Sequence, residues 1–107
     1  MNPQYEALFT PWKIGNVEIK NRIVMCPMGG TSLFGWFELG GCHFDKEAAK
    51  LFLERANNNV GLIIPGIAPL RDTFWGKWLW QNPKMFEDLK EFMDEIHKTG
   101  AKLFIQL

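Results

Sequence analysis

Asn21-Arg22-Ile23-Val24-Met25-Cys26-Pro27-Met28-Gly29-Gly30 is an apolar, β-type run that stops at a proline and two glycines. Ile23, Val24 and Met25 show no polar alternation, which suits a strand covered on both faces. Gly29 and Gly30 carry no Cβ, so the chain leaving this strand can bring bare backbone against a flat ligand.

Upstream of it, Trp12-Lys13-Ile14 and Val17-Glu18-Ile19 flank Gly15-Asn16, a turn pair suited to positive φ, which predicts a small β-hairpin. Downstream, Thr31 to Phe44 holds Gly35, Gly40 and Gly41 among exposed-looking aromatics and reads as a long loop. Asp45 is placed to cap a helix from Lys46 to Asn57 with a buried stripe of Ala48, Ala49, Phe52 and Ala56; Asn57-Asn58-Asn59 ends it. Val60-Gly61-Leu62-Ile63-Ile64 is a second apolar strand, closed by Pro65-Gly66. After a loop containing Phe74, Trp75, Trp78 and Trp80, Asn82 and Pro83 open a second helix. Its apolar face is expected from Phe86, Leu89, Phe92, Met93 and Ile96, and Gly100 is expected to stop it. Ala101 to Leu107 follows as a third strand. Hairpin, strand, helix, strand, helix, strand is the start of a parallel α/β architecture with right-handed crossovers, and the pattern alone leaves barrel and open sheet as alternatives.

Composition narrows the function. Of the 107 residues, 47% are hydrophobic and 22% charged, values that suit a globular core. Twelve basic residues balance twelve acidic ones, so no net field draws nucleic acid or an anionic membrane. Cys26 and Cys42 fit neither a redox pair nor a zinc site, which favours a reducing, cytoplasmic setting. No apolar run approaches the ~18 residues of a membrane span, and no signal-peptide order opens the chain, so a soluble protein is expected.

Leu8-Phe9-Thr10-Pro11-Trp12-Lys13-Ile14-Gly15-Asn16-Val17-Glu18-Ile19-Lys20, continued by the run to Gly30 and matched again at Gln106-Leu107, resembles the amino terminus of the Old Yellow Enzyme family of FMN-dependent ene-reductases and NAD(P)H:flavin oxidoreductases. The resemblance implies a (β/α)8 barrel whose hairpin closes the bottom. Such barrels run to ~250 residues, so residues 1–107 are expected to hold the first three strands and two helices of one FMN-binding barrel domain, an N-terminal part of it. The glycine-rich exit after Met28 and Gly66-Ile67-Ala68-Pro69 look closer to the 2,4-dienoyl-CoA reductase and steroid or bile-acid enoate reductase branch.

Ligands of such barrels sit at the carboxyl ends of the strands, and three of these ends are present here. The resemblance implies that the Gln106 amide bonds the pyrimidine edge of FMN, an edge that needs both a donor and an acceptor. The residues alone also allow a strand-end glutamine that merely tops the barrel interior. Pro27 and Met28 correspond to a family pair whose backbone packs along the flavin. Gly29 stands where relatives place a threonine or cysteine, which removes a side-chain bond to the ring; Thr31 is a substitute two residues on. Gly66 matches a small residue beside the cofactor, although a glycine needed for the turn reads the same way, and the larger Ile67 leaves Gly66 or Ala68 for that place. Cys26 reads as a small buried hydrophobe, His97 as structural near a helix end, and His43 as a loop residue without a motif. The tryptophans suit a substrate wall, a packed loop or a subunit contact equally.

The implied reaction takes hydride from NADH or NADPH onto FMN and passes it to an activated alkene, such as an α,β-unsaturated carbonyl or a dienoyl thioester. No catalytic residue is expected within this chain, because the family's substrate-binding and proton-donating groups lie beyond the Gln-Leu pair. An iron–sulfur cluster and an FAD domain, carried by members of that branch, would also lie outside it: the cysteines are too few and no GxGxxG is present. The expected partner is a small-molecule substrate, with a homo-oligomer possible for the complete protein. Alone, this polypeptide is expected to show little activity, and the competing reading is a non-catalytic α/β remnant or subunit that needs a partner to complete its sheet.

Overall fold

A computed structural model describes residues 2–28, 33–34, 43–66 and 83–106. The chain enters through a 3-10 helix, Pro3–Phe9, capped by Asn2, whose side chain accepts from the Gln4 N–H. The expected hairpin follows as β1 (Trp12–Ile14) and β2 (Val17–Ile19), antiparallel, with Ile14 opposite Val17. Gly15 turns it at φ 57°, a value a side chain would resist.

Three parallel strands then alternate with two helices. β3 is Val24–Met25, α1 Lys46–Asn57, β4 Leu62–Ile63, α2 Pro83–Lys98 and β5 Lys102–Leu103, with the strands in the order β3-β4-β5. Regular pairing is shorter than the apolar runs and spans two residues of each strand. The ladder nevertheless reaches one residue further, through Ile64 N–H to the Met25 carbonyl and Phe104 N–H to the Ile63 carbonyl, both 3.0 Å.

Both helices form for the reasons the sequence offers. The Asp45 carboxylate accepts from the N–H groups of Glu47 and Ala48. At the far end Asn59 takes φ 72°, and the N–H groups of Val60 and Asn59 return to the Arg55 and Ala56 carbonyls, the paired bonds of a left-handed helix stop. α2 ends on Gly100 at φ 80°, whose N–H reaches the His97 carbonyl. There the second bond runs through a hydroxyl: Thr99 Oγ1 accepts from Ala101 N–H and donates to the Ile96 carbonyl.

The core lies between the sheet and the helices. Ala49, Phe52 and Ala56 of α1 meet Met85, Leu89, Phe92 and Ile96 of α2 over Ile63 and Ala101. Two expectations need correction. Met85, 1% exposed, holds the place expected of Phe86, which is 48% exposed; one residue turns a helix by about 100°, and Phe86 falls beside the stripe rather than in it. Phe34, read among exposed loop aromatics, is 1% exposed. Leu33 and Phe34 drop into the core, and their carbonyls accept from the Asp45 and His43 N–H groups.

Candidate functional site

Parallel register decides which residues can act together. Val24, Leu62 and Lys102 are partners, and so are Met25, Ile63 and Leu103. The second set faces the helices, because Ile63 belongs to the core and Met25 and Leu103 pack against it. Side chains alternate along a strand, so the first set faces the opposite, inner side. Carrying the register one residue past Met25, Ile63 and Leu103 puts Cys26, Ile64 and Phe104 on the inner side. Continued three residues, the same register would bring Met28, Gly66 and Gln106 into one row on that side. With strands about 4.8 Å apart, the row is about 10 Å wide.

Met28 is 51% exposed and Gln106 is exposed at their strand tips, while Gly66 is buried between them and has no side chain to stand in the way. Pro27 is also exposed and falls in the next row down, beside buried Pro65. Gly29 lies outside the described residues, as do Thr31, Cys42, Ile67, Ala68, Asn82 and the four loop aromatics Phe74, Trp75, Trp78 and Trp80. His43 sits at the entry to α1, half-buried, and His97 is exposed in the last turn of α2.

Cys26 was expected to be buried; within these 107 residues its thiol is free and exposed, on the row that faces away from the helices and that the other strands of a barrel would face. The same alternation puts Ile64 and Phe104 on this apolar row, beneath the tips.

A cleft of ≈ 500 Å³ lies at the other end of the sheet, lined by Lys20, Leu53, Asn59, Glu95, Lys98 and Thr99. A polar contact on its wall is already made within the protein, the Lys20 ammonium donating to the Thr99 carbonyl at 2.8 Å. The strand tips are the better site. There the continued register would set a primary amide that donates and accepts near a residue without a side chain and an apolar row, groups suited to the polar edge and flat face of a heteroaromatic ring. Among the described residues no cluster of three metal-ligating side chains occurs.

The model of the NADH:flavin oxidoreductase / NADH oxidase family matches residues 7–107. The chain belongs to this family. Cinnamate reductase of Clostridium sporogenes is 35% identical over 114 residues, covering 100% of this chain and 16% of that protein. An NADPH dehydrogenase of Bacillus velezensis is 35% identical over 106 residues, 94% of this chain and 29% of the relative. The chain therefore spans under a third of the length of these curated relatives. Among solved structures, a 2-naphthoyl-CoA reductase in complex with 2-naphthoyl-CoA superimposes with a TM-score of 0.68 at 26% identity, over 96% of this chain and 16% of that one. The old yellow enzyme from Trypanosoma cruzi gives 0.66 at 25% identity, over 97% and 27%. These likenesses bear out the Old Yellow Enzyme resemblance and decide between the two architectures: the hairpin and the β3-α1-β4-α2-β5 order are the opening of a (β/α)8 barrel, not of an open sheet.

Proposed function

We propose that residues 1–107 form the first part of a single FMN-binding barrel domain in an NAD(P)H-dependent ene-reductase. The observation that carries this is the parallel β3-β4-β5 register, which, continued to the carboxyl ends of the strands, would set Met28, Gly66 and Gln106 in one inward row. Bound FMN would supply hydride relay between NADH or NADPH and an activated alkene, an α,β-unsaturated carbonyl or a dienoyl thioester. The Gln106 amide holds the pyrimidine edge through one donated and one accepted hydrogen bond. Gly66 lets the ring approach the backbone, Pro27 and Met28 lie along it, and Gly29 offers it no side-chain bond. The residues that bind substrate and deliver a proton come from other parts of the barrel, so the 107 residues alone are expected to be inactive.

Two relatives favour conjugated carboxylates and aromatic thioesters as substrates, a cinnamate reductase and a 2-naphthoyl-CoA reductase. Both are proteins of which this chain covers 16%, which supports the longer branch with dienoyl-CoA and steroid enoate reductases and, outside this chain, an iron–sulfur cluster and FAD. Among the described residues no helix is long and apolar enough to cross a membrane, in keeping with a cytoplasmic enzyme of small molecules. A second reading, a subunit completed by a partner, is favoured by one feature: β3 and β5 are the outer strands of the described sheet.

The test joins the full 107-residue chain to the segment of the Bacillus velezensis NADPH dehydrogenase that follows the matched region. The expected product is yellow, holds equimolar FMN and oxidises NADPH when an enone is added, whereas the 107 residues alone do neither. A folded but colourless fusion would overturn the proposal. Recovery of flavin by mixing the two segments as separate chains would support the second reading.

A further inference from the structure

The inner face of the sheet carries a charge for which flavin binding has no use. Ala101 is fully buried in the helix-side core and Leu103 packs against the same core, so Lys102 between them points to the inner side. Its partners in register are Leu62 and Val24. Leu62 is 3% exposed yet stands outside the helix-side core, which marks this level of the inner face as apolar and covered. Lys102 itself is half-buried; its backbone N–H donates to the Gly61 carbonyl at 2.9 Å, and among the described residues its ammonium makes no hydrogen bond or ion pair.

In a (β/α)8 barrel the inner faces of the strands form a packed core and not a pore. An ammonium held there loses its hydration, and such a charge is tolerated when a carboxylate meets it with good geometry. No acidic residue lies on β3, β4 or β5 or on their extensions to Met28, Gly66 and Gln106. The described carboxylates lie on the 3-10 helix, on the hairpin, at the cap of α1 and along the two helices.

We propose that Lys102 is one half of an ion pair inside the closed barrel, and that its counterpart is an Asp or Glu on the inner face of a strand other than these three, at the level of Val24 and Leu62. The pair fixes the height at which the remaining strands join this sheet, a registry role that buried charges serve elsewhere. It rests on the barrel being completed as proposed above, and is independent of whether that barrel holds FMN.

The fusion described above tests it through three forms: unaltered, Lys102→Met and Lys102→Arg. Removing one partner of a buried pair strands the other, so Lys102→Met is expected to lower the melting temperature by on the order of 10 °C, or to prevent folding, while Lys102→Arg folds with most of the stability kept. In the unaltered fusion, acylation followed by mass mapping is expected to label exposed Lys98 readily and Lys102 at least tenfold less. Lys102→Met melting at or above the unaltered protein, or Lys102 labelling as fast as Lys98, would overturn the pair. Failure of both variants to fold would also overturn it, because shape and not charge would then be the requirement. A folded fusion without flavin in which Lys102→Met is destabilised and Lys102→Arg is not would sink the flavin proposal and leave the pair standing.

Discussion

The two ends of the three-stranded sheet are built on opposite plans. At the amino ends of the strands the side-chain amide and the backbone carbonyl of Asn21, 2% exposed, are engaged. Its amide donates to the Asn59 carbonyl at 2.7 Å and accepts from Ile23 N–H at 3.1 Å, while its own carbonyl accepts from the Trp12 indole at 2.6 Å. One residue connects the hairpin, the stop of α1 and the start of β3, and Lys20 beside it reaches the stop of α2. At the carboxyl ends Cys26, Pro27, Met28, Ile105 and Gln106 are exposed. The end that holds the fold together satisfies itself, and the end proposed to carry chemistry presents its groups outward, the division of labour expected of a barrel.

That contrast can be broken most severely at Gly61. A Cβ there would collide with the Asn21 side-chain oxygen and come within 3.1 Å of its carbonyl oxygen. Gly61→Ala is therefore expected to cost about 3 kcal/mol, the upper range for forcing atoms into a packed site, read as a lowered urea midpoint. Asn21→Ala leaves the Asn59 carbonyl and the Ile23 N–H without their partner, and is expected to cost about 2 kcal/mol in the same measurement. Thr99→Val keeps the shape but deletes the hydroxyl that joins Ala101 N–H to the Ile96 carbonyl, for about 1 kcal/mol. Met28→Ala, at the other end, is expected to change stability by less than about 0.5 kcal/mol, as exposed positions do. A reversed order, with Met28→Ala more damaging than Asn21→Ala, would erase the distinction between the ends.

Much of this was legible because local signals agreed. Gly15-Asn16 sets the hairpin, and Asp45, Asn59 and Gly100 bound the helices where they are observed. The 3-10 helix Pro3–Phe9 went unread, since it buries no residue and leaves no apolar period to detect. Met85 and Phe86 were exchanged because both are apolar and adjacent, and only packing against α1 and the sheet decides between them. Asn21 was read as the head of a strand; its role depends on Asn59, 38 positions away, which no local pattern records. At the site, the breakers Pro27 and Pro65-Gly66 marked the strand ends, but which side Cys26 and Lys102 face required the register of three strands.

The central claim is that Gln106 and Gly66 form the edge at which a flavin is held. It is tested most directly by titrating FMN, followed through quenching of its fluorescence, into the apo form of the barrel fusion with and without Gln106→Leu. The account predicts a tenfold to hundredfold weaker affinity, roughly what is lost with two hydrogen bonds to one amide, at an unchanged melting temperature of the apo protein. An affinity equal to that of the unaltered fusion would contradict it.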